Sequence, residues 1–88
     1  MTSSNVHIAT AREQLSATDL ERLIVGRVNA SSLNDRMIGI TIERAGRDHP
    51  MANWHAGPYF QDGPHSAGLD TVVLGVVTDI QSMFDLSI

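Results

Sequence analysis

The stretch Leu69-Asp70-Thr71-Val72-Val73-Leu74-Gly75-Val76-Val77-Thr78-Asp79-Ile80-Gln81-Ser82-Met83-Phe84 decides how this chain folds. Val72, Val73, Val76 and Val77 are β-branched, and by propensity alone they favour a strand. Placed at about 100° per residue, however, Leu69, Val72, Val73, Val76, Val77, Ile80, Met83 and Phe84 fall within an arc of about 140°. Asp70, Thr71, Thr78, Asp79, Gln81, Ser82 and Asp85 fill the other side, and only Leu74 is out of place. Strict alternation fails at both valine pairs. The pattern therefore predicts an amphipathic helix over Leu69–Phe84. Ser66 is suited to cap its free N–H groups, and Asp70 complements the positive end of the helix dipole. Asp85 opposes the dipole at the far end, which points to an arginine nearby.

A second helix start is written at Ser16-Ala17-Thr18-Asp19. Ser16 is a cap residue, Asp19 stands three positions on, and Leu15 and Leu20 have the spacing of a hydrophobic staple. This helix runs to about Ala30 with Leu20, Leu23, Ile24 and Val28 on one face. Between the helices, Ile38, Ile40 and Ile42 alternate with Gly39, Thr41 and Glu43, which predicts a strand over Met37–Arg44. A second strand is expected over roughly Ala52–Phe60. Gly57-Pro58 interrupts it, so it belongs at an edge or carries a bulge. The fold expected is α+β: two helices on one face of a small antiparallel sheet, in the order helix, strand, strand, helix. Two strands are marginal alone, so a third is expected, from the N-terminus (Val6 and Ile8 alternate there) or from a second subunit.

Eighty-eight residues suit one domain spanning 1–88, with 1–14 frayed or extended. A chain of this size buries only about 60–65% of its unfolded surface, and without cysteine no disulfide can reinforce it. Packing or self-association is then the expected support, and 18% charged residues is low enough to agree with an oligomer. No secretory leader or bilayer-length apolar run is visible, and with the absence of cysteine this points to a cytoplasmic bacterial protein without membrane contact. Beyond Arg47 the charged residues are Asp48, Asp62, Asp70, Asp79 and Asp85, so the net charge of -4 resides in the second half. Phosphate backbones are bound by clustered positive charge, so nucleic acid is not an expected partner.

Candidate site residues are few. Arg27 falls in the apolar stripe of the first helix, and three readings stay open. It snorkels into water, it pairs with an acid such as Asp85, or its planar fork holds an anion. Trp54 reads as a core residue or as an anchor for a partner. Tyr59 and Phe60 point to opposite faces of a regular strand, leaving one of them exposed. His49, His55 and His65 offer imidazole for a metal, with Asp48 and Asp62 beside them, although their spacing matches no ligand motif. There is no nucleophile elbow, Walker loop or cofactor fingerprint, so neither a catalytic residue nor a cofactor is assigned.

Ile40-Thr41-Ile42-Glu43-Arg44 followed by Pro50-Met51-Ala52-Asn53-Trp54-His55-Ala56 resembles short uncharacterised proteins of plant-associated proteobacteria. Those combine a capped N-terminal helix, a strand pair containing Asn-Trp and a following helix. The resemblance spans most of the chain from Leu15 and implies that architecture; no established activity comes with it. The function expected is non-enzymatic, through self-association, as in a homodimer, or through another protein partner. The alternative is a small-molecule or metal-binding module built on Arg27 and the central histidines.

Overall fold

The computed structural model describes residues 13–32, 36–45, 52–64 and 66–87. The elements run β1 (Glu13–Leu15), α1 (Ala17–Ser31), β2 (Arg36–Arg44), β3 (Trp54–Asp62), α2 (Ala67–Gln81) and β4 (Phe84–Leu86). The fold is α+β. Val6, Ile8, His49 and His65 lie outside the described residues.

Both helices begin where the caps predict. Ser16 Oγ accepts from the Asp19 N–H at 3.1 Å, and Ser66 Oγ accepts from the Leu69 N–H at 3.2 Å. Each bond satisfies one of the N–H groups that a helix start leaves without an intrahelical partner. Leu20, Ile24 and Val28 of α1 and Leu69, Val73, Val77 and Ile80 of α2 are buried. Leu74, the residue outside the apolar arc, is 68% exposed.

The second helix stops earlier than its apolar pattern. It ends at Gln81, with Ser82 as cap and the Met83 N–H bound to the Ile80 carbonyl at 3.0 Å. Phe84 and Asp85 then leave the helix and enter β4. Gln81 also departs from its expected place among the solvent-facing residues: it is buried, and its Nε2 donates to the Trp54 carbonyl at 2.9 Å. That bond offsets the burial of a polar amide.

β2 and β3 pair antiparallel, with Arg36 opposite Asp62, Ile40 opposite Tyr59 and Glu43 opposite His55. Two irregularities interrupt the ladder, between Met37 and Gly39 and between Ile40 and Ile42. The first changes the expected phase. An extra residue at Ile38 sends its side chain outward (67% exposed), while Met37 and Ile40 are both buried. The three isoleucines therefore do not share a face. At the second, three steps of β3 match two of β2 across Gly57-Pro58, where proline has no N–H to give.

The hairpin gains no third strand among the described residues. Instead β1 pairs with β4 in parallel, Leu15 opposite Leu86, as a separate two-stranded sheet. Side chains stand in for the missing neighbours. The Asn29 carboxamide, from the last turns of α1, accepts from the Met37 N–H at 2.8 Å and donates to the Met37 carbonyl at 3.1 Å. Glu21 accepts from the Ile40 N–H at 3.1 Å. On β3, Gln81 takes the Trp54 carbonyl. These bonds do for backbone groups at a strand edge what a ladder would otherwise do.

The two sheets meet at Asn53-Trp54. Asn53 Oδ1 accepts from the Leu86 N–H at 2.7 Å, and Asn53 Nδ2 donates to the Leu86 carbonyl at 2.9 Å. Trp54 is fully buried, and its indole N–H donates to the Phe84 carbonyl at 3.0 Å. On the far side of β4, the Ser87 N–H reaches the Leu15 carbonyl at 2.8 Å. No helix among the described residues is long and apolar enough to cross a membrane.

Leu69 and Leu74 share a helix and a side-chain type but differ in burial, 0% against 68% exposed. Leu69→Ala should lower unfolding free energy by about 2–5 kcal/mol, and Leu74→Ala by less than about 0.5 kcal/mol. Urea titrations of the two variants check this.

Candidate functional site

An open groove of about 370 Å³ runs between α2 and β3. Ala56, Val73, Leu74 and Val77 supply its apolar surface, and His55, Asp70 and Gln81 its polar groups. Its position follows from the element ends. The turn before α2 places Asp70 in the first helical turn, beside the second half of β3. Gly63 makes that turn with φ 95°, a conformation costly for any residue with a Cβ. Gln61 fastens it, its Oε1 accepting from the Ser66 N–H at 3.3 Å.

Two polar pairs border the groove. The Tyr59 hydroxyl donates to Asp70 Oδ1. At the other end, His55 Nε2 and Glu43 Oε1 lie 2.8 Å apart across the hairpin. A carboxylate only accepts, so this contact places the proton on Nε2 of His55. The Glu43 carboxylate lies over Gly57, where a Cβ would come within 2.8 Å of Glu43 Oε2. Glycine thus leaves room for an acid beside the groove.

The candidate residues read from the sequence fall in different places. His55 lines the groove, and Tyr59 reaches it through Asp70. Trp54 is buried in the core, where its indole joins β3 to β4 and presents no surface to a partner. Arg27 is elsewhere. Its Nη1 donates to Asp79 Oδ2 at 3.2 Å, with the two side chains 43% and 67% exposed. The partner is Asp79 and not Asp85, because the chain leaves the helix after Gln81. Asp85 in β4 accepts from the Asn53 N–H at 3.4 Å.

Among the described residues, no three His, Asp or Glu side chains gather as a metal site; His49 and His65 lie outside those residues. Sequence reasoning passed over Asp70 and Glu43 as site residues.

The hairpin shows a second feature. Ile38 and Phe60 are 67% and 60% exposed, and Phe60 stands opposite Gly39, the residue after Ile38. At Gly39 a Cβ would come within 2.9 Å of Glu21 Oε2, so the carboxylate from α1 takes the place of a side chain there. Comparison with protein-family models, with curated proteins and with solved structures gives no match. The likeness to short proteobacterial proteins gains nothing from these comparisons.

The exposed Arg27–Asp79 pair is of the kind whose net contribution is small. A double-mutant cycle with Arg27→Ala and Asp79→Ala should give a coupling below about 1 kcal/mol, falling further in 0.5 M salt (about a 4 Å screening length). Thermal or urea unfolding of the four proteins measures it.

Proposed function

We propose that this is a non-enzymatic protein that self-associates through the exposed side of the β2–β3 hairpin. The observation that carries the reading is the exposure of Ile38 and Phe60 on the hairpin, the one beside Gly39 and the other opposite it. Large apolar side chains grouped on a surface mark contact sites more often than singly scattered ones do. Strand addition at the hairpin edges is disfavoured. Asn29 and Glu21 occupy backbone groups of β2, Gln81 occupies one of β3, and Pro58 lacks a donor. Contact between side-chain faces is left.

Charge favours a second copy at this face over any other. Arg36 stands opposite Asp62 and Glu43 opposite His55, so opposite or neutral groups border the apolar pair. The outer side of α2, with Asp70 and Asp79, would place like charges against each other in a two-fold contact. The face is small. Nine-residue strands span about 30 Å and a pair of them about 10 Å, or roughly 300 Å². Stable dimers bury about 800 Å² per partner, so this association should be weak and reversible.

Sedimentation velocity from about 10 μM to 1 mM, the range in which weak interfaces associate, tests the reading. A concentration-dependent monomer–dimer equilibrium is expected, abolished by Phe60→Ser or Ile38→Ser with the melting temperature unchanged. A strict monomer throughout would overturn it, as would association that survives both substitutions.

A further inference from the structure

We propose that the β2–β3 hairpin has two ladder states, the bulged one of the structure and a regular one without bulges, and that Asn29 selects the first. The inference concerns how Ile38 and Phe60 come to be exposed, and it does not depend on self-association. Both strands are nine residues long, and their end pairs are in register, Arg36 opposite Asp62 and Arg44 opposite Trp54. The extra residue of β2 at Ile38 is therefore cancelled by the one β3 carries at Gly57-Pro58. Each irregularity lies at a mid-strand glycine, Gly39 or Gly57, where register is weakly specified. A regular ladder between the same end pairs sets Ile38 opposite Phe60 and Ile40 opposite Pro58, and keeps Ile42 opposite Ala56.

Proline is no obstacle to that ladder. The Ile40 N–H binds Glu21 and so points away from β3, which puts Ile40 in a pair without ladder bonds. A partner at that position needs no N–H. Alternate residues share a face, so the regular ladder carries Ile38 to the buried side of Ile40 and Phe60 to that of Trp54. Met37, buried, and Tyr59, partly buried, turn outward in exchange. Large apolar groups are thus traded for one another, and polar bonds decide between the states. Asn29 binds both the N–H and the carbonyl of Met37, so Met37 also faces away from β3. It lies three residues from Ile40, an odd spacing that a regular strand does not allow. The Asn29 bonds therefore exist only in the bulged ladder. Tyr59 to Asp70, and Gln61 to Pro64 and Ser66, hold the same state.

The test is NMR relaxation dispersion on the full chain, which reads microsecond-to-millisecond exchange with a minor state. Exchange is expected at the amides of residues 37–41 and 59–61, with Arg44 and Trp54 flat. Asn29→Ala should raise the minor population about tenfold or more, the scale of two lost hydrogen bonds. In that variant, close Hα–Hα contacts of Ile38 with Phe60 and of Ile40 with Pro58 should join the Ile40–Tyr59 contact of the bulged ladder, while Ile42–Ala56 persists. If Asn29→Ala does not fold, Asn29→Asp, which keeps the acceptor for the Met37 N–H, should raise the population about fivefold. Flat profiles at residues 37–41, a population unmoved by the substitution, or a variant lacking the Ile40–Pro58 contact would each overturn the proposal. All these contacts lie within one chain, so their failure is distinct from a failure to self-associate.

Discussion

A buried tryptophan brings an obligation with it. Its ring contributes more apolar area than any other side chain of this core, but its indole N–H must find an acceptor away from water. Here the acceptor is the Phe84 carbonyl, and the neighbouring Asn53 binds both backbone groups of Leu86. Trp54 in turn gives its own carbonyl to Gln81. One dipeptide at the start of β3 thereby holds the end of α2 and the whole of β4. Through β4 it also holds β1, and so the entry to α1. In a chain with no cysteine, this crossing does part of the work of a staple.

The same device explains how a two-stranded hairpin persists without a third strand. An asparagine side chain is an amide, with one acceptor and a donor group, and it can copy the two bonds a neighbouring strand would make. Asn29 does so for Met37, and Asn53 does so for Leu86. Both are held in place by elements packed on the core, α1 in one case and the β2–β3 pair in the other, where the Ala45 N–H binds the Asn53 carbonyl at 2.9 Å. The helices thus contribute polar bonds to the sheet as well as an apolar cover. Among the described residues, these bonds occupy backbone groups at strand edges.

The helices were legible because their signals are local: a cap serine and an apolar stripe of period 3.6 are both contained within a few turns. The strand pair was legible for the same reason, through alternation and the break at Gly57-Pro58. What could not be read depends on contacts far apart in the chain. β1 and β4 are three residues each and pair across some seventy positions, too short for periodicity to register. The bulge at Ile38 shifted the phase of β2, and sequence alternation alone cannot reveal an inserted residue. Gln81 read as solvent-facing because its partner, the Trp54 carbonyl, is a backbone atom with no residue identity. At the candidate site, His55 and Tyr59 were visible as residue types. Their association with Glu43 and Asp70 required the register of the hairpin and the placement of α2.

The claim that Asn53 and Trp54 hold β4 in place is tested most directly by native-state hydrogen exchange. In the unaltered protein, the Leu86 and Ser87 amides and the Trp54 indole N–H should exchange only through global opening, with protection free energies matching the stability measured in urea. In Asn53→Ala, Leu86 and Ser87 should exchange by local opening while the β2–β3 amides keep their protection. Leu86 and Ser87 amides exchanging at unprotected rates in the unaltered protein would contradict the account.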